Sequence, residues 1–408
     1  MVKYMKKVVI IVPMPKVQLS KAETISLCQL RRILSKYPIK FIVPKKKKDI
    51  FKIHYPETDI VCFSDDYFTS AAMYSRLCLS SDLYERFIDY KYMLIYQLDA
   101  FVFSDKLLEF CNMEYDFIGA PMPRIWWPKL VVHSFNGGLS LRKISTFIRI
   151  TKSIDEILYG IRNANDFIQS EDAFYSYCGE LKDIDFSVPP FSLAARFSLQ
   201  ADTAHCYRNL SFDNLPFGCH GWTKKQYFAA WRPFIENVVG SIDDIAEFVA
   251  NKKGFLYKQM RRVWIDYYYL FPRVMRKDNN YAKNVMKKFI PLNHEYILWG
   301  NGFWGEDAVK CLKYLSVNIV YIFDKKAKKG EKREGIPVVN PEKNILKSNK
   351  YKVLITTTAF EREIYSTLIN EGFRPDVDFF SYLRLKKLFL DEYYFSPSGC
   401  FCKKGEVK

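Results

Sequence analysis

No apolar run in this 408-residue chain approaches the roughly 18–20 residues that a membrane-crossing helix needs. The longest stretch near the start, Val8–Val12, is stopped by Pro13. It is shorter than the apolar part of a secretory leader, about 7–15 residues, and no small-residue cleavage site follows, so it reads as a first buried strand. No CxxC pair occurs. The ten cysteines are scattered, and only Cys400 and Cys402 lie close together. That argues against a zinc site or a disulfide framework and for reduced thiols in a cytoplasmic setting. Internal repeats and long low-complexity tracts are also missing, which sets repeat architectures aside.

What the chain does have is an ordinary globular balance, 49% hydrophobic and 26% charged, with enough apolar surface to offset chain entropy. At about 150 residues per domain, its length suggests two or three domains. Two features depart from the average: a net charge of +17, and 17% aromatic residues. A basic excess points to an anionic partner such as a nucleic acid, a membrane surface or a phosphorylated substrate.

Strand-like and helix-like patterns alternate through the first half. Strands are expected at 7–13, 39–44, 59–63 and 92–96, and helices at 21–36 and 75–87, which argues for a mostly parallel α/β sheet. Residues 110–235 are richer in Pro, Gly, Trp and His, as in a substrate-binding half built on the sheet's C-terminal edge. The 252–290 stretch holds eleven Lys and Arg against two Asp, with nine aromatics interleaved, and reads as two helices around Pro272. Such helices could lie on an anionic membrane. They could equally form a linker with aromatics inward and solvated charges. A third unit begins near 292. A strand enters Gly300-Asn301-Gly302-Phe303-Trp304-Gly305, a helix and a second strand follow, and that strand ends in Asp324. This is the dinucleotide fingerprint in its proper context, with Gly300, Gly302, Gly305 and Asp324 as nucleotide-binding candidates. The expected organisation is therefore 1–235 catalytic, 236–290 helical linker, 291–385 Rossmann-like, and 386–408 a loose tail.

Chemistry concentrates in a few motifs. Asp99 ends the strand of YMLIYQLDAFVF, where an α/β enzyme presents a metal ligand to a diphosphate; the ordinary alternative is a turn aspartate. Asn136, Gly137 and Gly138 lie in FNGGLSLR, where a sugar or phosphate can approach bare backbone, or where a plain hairpin could turn. Glu171 and Asp172 precede a helix, as caps or as a general base. His220 sits in PFGCHGW, as a buried histidine or a metal ligand.

Residues 7–232 resemble the glycosyltransferase-like proteins of the domain-of-unknown-function 5672 family. The resemblance rests on ETISL (23–27), YQLDAFVF (96–103), YDFIGAP (115–121), NGGLSLR (136–142), SEDAF (170–174) and PFGCHGW (216–222). It implies a GT-A-like nucleotide-sugar transferase domain, using Mn²⁺ or Mg²⁺ held by Asp99 and His220. Gln97 replaces the first acid of that fold's usual Asp-x-Asp pair. The acidic pair maps onto Glu171 and Asp172, with Asp172 as base. Gln97, Asn136, Gly137, Gly138 and Trp222 would meet the substrate, Trp222 by stacking on a sugar. The third unit, 291–385, resembles small Rossmann-like modules of bacterial polysaccharide-synthesis proteins, through the fingerprint and GIPVVNPE (335–342). The implied partners are a nucleotide-sugar donor and a glycan or lipid-linked acceptor, with the enzyme in the cytoplasm or on the membrane's inner face. Two other classes are weaker. A nicotinamide- or nucleotide-dependent sugar-modifying enzyme lacks a hydride-handling pair after the fingerprint. A nucleic-acid-binding protein lacks a recognised module.

Overall fold

The computed structural model describes residues 6–122, 134–161, 164–200, 210–250, 271–272, 274–276, 279–347 and 350–395. The chain divides into two compact units, Met1–Arg262 and Val263–Cys400. Residues 251–270 lie outside the described part, and with them the first of the two helices expected around Pro272; on the second side the described residues hold a helix, Asn279–Met286.

Among the described residues the first unit has nine strands: β1 (Lys6–Pro13), β2 (Ile39–Pro44), β3 (Asp59–Phe63), β4 (Tyr90–Tyr96), β5 (Ala100–Val102), β6 (Phe117–Met122), β7 (Ser134–Lys143), β8 (Ser198–Leu199) and β9 (Gly218–His220). The main sheet runs β3-β2-β1-β4-β7-β6, with β3, β2, β1 and β4 parallel and β7 antiparallel to both neighbours. The α/β class and the mostly parallel sheet are as the apolar runs predict. Val9, Ile10, Ile11 and Val12 are fully buried, as expected of a strand covered on both faces. Helix Lys21–Leu34 starts in a reciprocal cap. The Glu23 backbone N–H donates to Ser20 Oγ at 3.3 Å, and the Ser20 N–H donates to Glu23 Oε2 at 2.7 Å. The helix expected over 75–87 is instead two, Ala71–Cys78 and Ser81–Glu85, because Ser80 caps the second by accepting from the Asp82 N–H.

Two consequences of this topology place the site. The parallel strands β1, β2 and β4 all end at one sheet edge, at Pro13, Pro44 and Tyr96. Because β7 runs antiparallel, its beginning meets the end of β4: Tyr96 pairs with Leu139, and the Gln97 N–H donates to Gly138 O at 2.9 Å. A register shift against β6 between Gly119 and Ala120 leaves Gly137–Leu139 as a bulge. A smaller sheet, β5-β9-β8, brings His220 opposite Ala100, the residue after Asp99.

In the second unit, β10 (Glu295–Trp299), β11 (Asn318–Phe323), β12 (Lys332–Arg333), β13 (Ile336–Val339), β14 (Lys352–Ile355) and β15 (Phe379–Ser381) form a sheet ordered β12-β13-β11-β10-β14-β15. All pairings but β12 with β13 are parallel. Setting β12 aside, the order outward from β10 is that of an open doubly wound sheet. The loose tail expected from 386 is corrected for its first part. Residues 386–395 continue helix Tyr382–Phe395, whose Leu385, Phe389, Leu390 and Tyr393 recur at helical spacing and are buried. Lys386 and Asp307 form a buried ion pair at 2.6 Å, and the Tyr382 hydroxyl also donates to Asp307 at 2.8 Å.

Candidate active site

The edge where β1 and β4 end opens into a cavity of about 940 Å³, lined among others by Pro13, Lys16, Tyr67, Tyr74, Gln97 and Asp99. Asp99 Oδ1 lies 2.8 Å from His220 Nε2, and Gln97 Oε1 lies 3.1 Å from the same nitrogen. Burial alone would push the Asp99 carboxyl up, but His220, reinforced by Lys224, outweighs it and holds the carboxyl down to about 2. Asp99 is therefore a carboxylate at neutral pH. A carboxylate only accepts, so the imidazole proton sits on Nε2 in this arrangement. Nδ1 is buried without a partner.

Gly138 makes this convergence possible. A Cβ there would lie 2.1 Å from His220 Nε2 and 2.7 Å from Gln97 Oε1. The next glycine does the same for the acids, since a Cβ on Gly137 would lie 2.5 Å from Asp172 Oδ1 and 2.6 Å from Arg142 Nη2. Asn136 ties the two clusters together. Its Oδ1 accepts from the Gly138 N–H at 2.9 Å, and its Nδ2 donates to Asp172 Oδ2 at 3.0 Å.

Glu171 and Asp172 have different surroundings. Glu171 Oε2 accepts from Ser75 Oγ at 2.5 Å, and Oε1 pairs with Arg142 Nη2 at 3.4 Å. Both its oxygens are engaged, so Glu171 holds the cluster together and is not placed as a base. Asp172 Oδ1 is buried with no partner. Burial first, then the negative charge of Glu171, push the Asp172 carboxyl well above its ordinary range. Asp172 is not among the residues lining the 940 Å³ cavity.

Sequence reading missed three residues. Arg142, the last letter of NGGLSLR, is fully buried; it donates to Tyr84 OH at 2.9 Å and Ser140 Oγ at 3.1 Å, with Phe117, Phe147 and Tyr175 rings 5.5–5.7 Å from its guanidinium. Lys224 lowers the proton affinity of both Asp99 and Asp172, and its side chain lies where a Cβ on Gly221 would be, at 2.9–3.0 Å. Tyr74 lines the cavity while its hydroxyl is buried and unpartnered. Only Lys224 left a trace in the sequence, as a cation four residues after His220. Trp222 is corrected. It is fully buried in an aromatic cluster with Phe101 and Phe228, and its Nε1 donates to Ser26 Oγ at 3.0 Å, so it has no face to offer a sugar.

A metal ion fits the first cluster by its donors. Mg²⁺ binds at 2.0–2.1 Å in octahedral geometry, so two neighbouring ligands stand about 3 Å apart. The Asp99–His220 and Gln97–His220 separations of 2.8 and 3.1 Å match that spacing. Among the described residues no group of three His, Cys, Asp or Glu could hold a metal, so a third donor at this cluster would have to be the Gln97 amide oxygen, with His220 Nε2 giving up its proton.

The fingerprint in the second unit has its own geometry. Gly300 has φ +125°, and a Cβ on Gly305 would lie 2.1 Å from Gly300 O, so both glycines serve a close approach of helix Phe303–Tyr314 to the loop. A Cβ on Gly302 would meet open space. Asp324 Oδ2 accepts from the Asn301 N–H at 3.0 Å and Oδ1 from the Lys326 N–H at 2.8 Å, while Arg333 bonds both Asn301 oxygens. The acid is thus engaged by its own loop.

A family model described as "Protein of unknown function (DUF5672)" matches residues 57–220. It takes in Gln97, Asp99, Asn136–Gly138, Glu171, Asp172 and His220. A search of curated protein sequences found no match. Among solved structures, the chain is similar to mouse xyloside xylosyltransferase 1 in its apo form, at TM-score 0.33 and 10% identity over 53% of this chain and 97% of that one. It is also similar to apo glycosyltransferase GlyE of Streptococcus pneumoniae, at TM-score 0.33 and 13% identity over 92% and 91%. A third is the 4-diphosphocytidyl-2C-methyl-D-erythritol synthase of Anaerococcus prevotii, at TM-score 0.31 and 12% identity over 60% and 95%.

Proposed function

We propose that the chain is a glycosyltransferase that moves a sugar from a nucleotide-sugar donor to a glycan or lipid-linked acceptor, with its first unit as a GT-A-like catalytic domain. One observation carries the reading. Asp99, His220 and Gln97 converge with metal-ligand spacing, and Gln97 and Asp99 line a large cavity at the C-terminal edge of a mostly parallel sheet. The donor's nucleoside diphosphate occupies that cavity. Asp99, His220 and Gln97 would hold Mn²⁺ or Mg²⁺, which would supply neutralisation of charge on the departing diphosphate.

The chain's own residues do the rest. Asn136 fixes the backbone of Gly138 and the orientation of Asp172 at once. Arg142 and Ser75 keep Glu171 in place, so its charge raises the proton affinity of Asp172. Asp172 is the base in this reading; it does not line the cavity in this structure, so its unpartnered Oδ1 reaches the attacking hydroxyl only once the bound acceptor opens a path to it. Lys224 adds a positive field over both carboxylates. Surface-polysaccharide assembly at the inner membrane face is the setting this chemistry fits. The second unit serves acceptor docking or nucleotide binding through Gly300, Gly302 and Gly305.

The test is a screen of nucleotide sugars for hydrolysis and transfer, with and without Mn²⁺, alongside calorimetry of the matching nucleoside diphosphate. Asp99→Ala is expected to abolish transfer and metal-supported diphosphate binding. Unchanged activity and metal response in that variant would refute the assignment.

A further inference from the structure

The fingerprint loop of the second unit lies at a topological switch point. The chain leaves β10 for β11 on one side and later fills β14 on the other, so the loops after β10 and β14 part and leave a crevice at the sheet's C-terminal edge. The two loops touch at their base, where Thr356 Oγ1 donates to Gly300 O at 2.8 Å. Each then carries an exposed ring. Phe303 starts the helix after β10 and is 59% exposed; Phe360 precedes the helix Glu361–Asn370 after β14 and is 58% exposed. A Cβ on Gly302, beside Phe303, would meet open space. Lys325, in the loop after β11, holds its ammonium over the Phe360 ring at 6.0 Å. The ends of three neighbouring strands therefore form one surface.

Its charges are sorted by depth. Residues 324–333 hold six lysines and arginines against two acids, and both acids turn inward. Asp324 accepts from the Asn301 and Lys326 N–H groups, and Glu331 from Asn301 Nδ2 at 3.1 Å and the Lys328 N–H at 2.9 Å. Arg333 is spent on the two Asn301 oxygens and on Glu306. Three carboxylates thus crowd the place between the glycines where the diphosphate of a dinucleotide would lie, and like charge opposes it there. On the outside, Lys325 pairs with Glu363 at 2.5 Å. Lys326, Lys328 and Lys329 are exposed, and among the described residues none of the three has an ion-pair partner.

We propose, resting on the sugar-transfer reading, that this surface docks the acceptor as an anionic glycan chain, with its negative groups on the outer lysines and its sugar faces on Phe303 and Phe360. The second unit is then an acceptor-docking module and not a nucleotide-binding one. Charge complementarity selects an anionic partner. The exposed rings select sugars, because the electron-rich face of a phenyl ring suits the C–H side of a pyranose. A crevice open to solvent suits a chain that passes across it better than a small ligand that has to be enclosed.

The experiment is calorimetry of the full chain with an oligogalacturonate, a maltodextrin of equal length, an oligothymidylate and NAD⁺, over a salt series. The oligogalacturonate is expected to bind at least about tenfold more tightly than the neutral maltodextrin at low salt, and the difference should shrink as salt rises. Phe303→Ala with Phe360→Ala should weaken oligogalacturonate binding about tenfold or more and leave its salt dependence unchanged. Lys326→Ala, Lys328→Ala, Lys329→Ala should weaken it about tenfold at low salt and flatten the salt dependence. All five positions are exposed, and circular dichroism checks that the variants fold. Hydrolysis of nucleotide sugars should be unchanged in both variants. A chain that hydrolyses no nucleotide sugar but binds the oligogalacturonate through these residues loses the transferase reading and keeps the glycan surface. A chain that hydrolyses a donor but does not bind the oligogalacturonate, or binds it equally in both variants, loses the surface alone. Tighter binding of oligothymidylate that both variants abolish overturns the proposal in favour of a nucleic acid, and NAD⁺ binding that excludes the glycan overturns it in favour of a nucleotide.

Discussion

Asp172→Asn should separate activity from stability in opposite directions. Asp172 Oδ1 is a buried acceptor without a partner, a situation that costs about 1–3 kcal/mol. Its carboxyl is pushed well above the ordinary range by burial and by Glu171. A folded-state value raised above the unfolded one, about 3.9, gives stability that is fully present below the unfolded value. That stability is lost as pH rises through the folded value. The wild-type chain thus carries the penalty at and above neutral pH. An amide is uncharged throughout and can still accept from Asn136 through its oxygen. Because it removes a buried charge beside Glu171, the variant should be more stable at neutral pH, and the melting temperature should rise by about 2–4 °C for each kcal/mol gained. The gain should shrink toward pH 4. Turnover at saturating donor should fall about 10²–10⁴-fold, because the base acts in the chemical step, while nucleoside-diphosphate affinity stays the same. Scanning calorimetry across pH and steady-state kinetics read both. A drop of several degrees together with loss of diphosphate binding would show that Asp172 is a structural residue, and the argument for a base would fail.

Other substitutions test the geometry around it. Gly138→Ala places a methyl 2.1 Å from His220 Nε2 and should lower metal-supported diphosphate affinity at least tenfold, with a stability cost of about 1–3 kcal/mol seen in urea melts; affinity within twofold of wild type would remove Gly138 from the site. Arg142→Met leaves Glu171 buried without its cation and should cost about 3–5 kcal/mol, part of it recovered by adding Glu171→Gln; no recovery would mean that the ring contacts of Arg142 dominate. The Asp99 carboxyl, held to about 2, supplies stability above its unfolded value that is lost as pH falls through about 2. Asp99→Asn should therefore flatten the acid side of the stability profile between pH 4 and 2, and an unchanged slope there would show that the His220 contact does not survive in solution.

Much of the fold is legible in the sequence because it is local. Apolar runs bounded by Pro, Asp and Gly mark β1 to β4, and the same logic finds β10, β11, β13 and β14. The site is legible as residue types, less so as roles. Asp99 and His220 are visible as candidates, yet their contact depends on β9 pairing with β5, 123 residues away in the case of the Gln97–His220 pair. Arg142 gave no signal because an arginine ending a strand normally reaches water, and only tertiary packing closes the aromatic rings over it. Trp222 misled for the converse reason. A tryptophan beside glycines looks available, but Phe101 and Ser26 from two distant segments, and Phe228 from the helix that follows, enclose it. Residues 386–395 read as a tail because their aromatic-rich sequence carries no cap signal, yet Leu385, Phe389, Leu390 and Tyr393 recur at helical spacing and are buried.

The place of β9 also bears on when the protein becomes competent during its synthesis. This strand is the last of the first unit's nine to leave the ribosome, yet it lies between two strands made earlier, β5 and β8. Until residue 220 emerges, a nascent chain carries Asp99 and Gln97 without their histidine, and the middle of the small sheet is empty. At about 5–20 residues per second, the interval between Asp99 and His220 lasts several seconds or more. During that time the main sheet can assemble around β1 and β4 while the cluster of Gln97, Asp99 and His220 remains incomplete. Translation thus acts as a clock. On the proposed function, a half-made chain could not capture a metal ion at this position, and any stalled product that stops short of β9 would be released without His220.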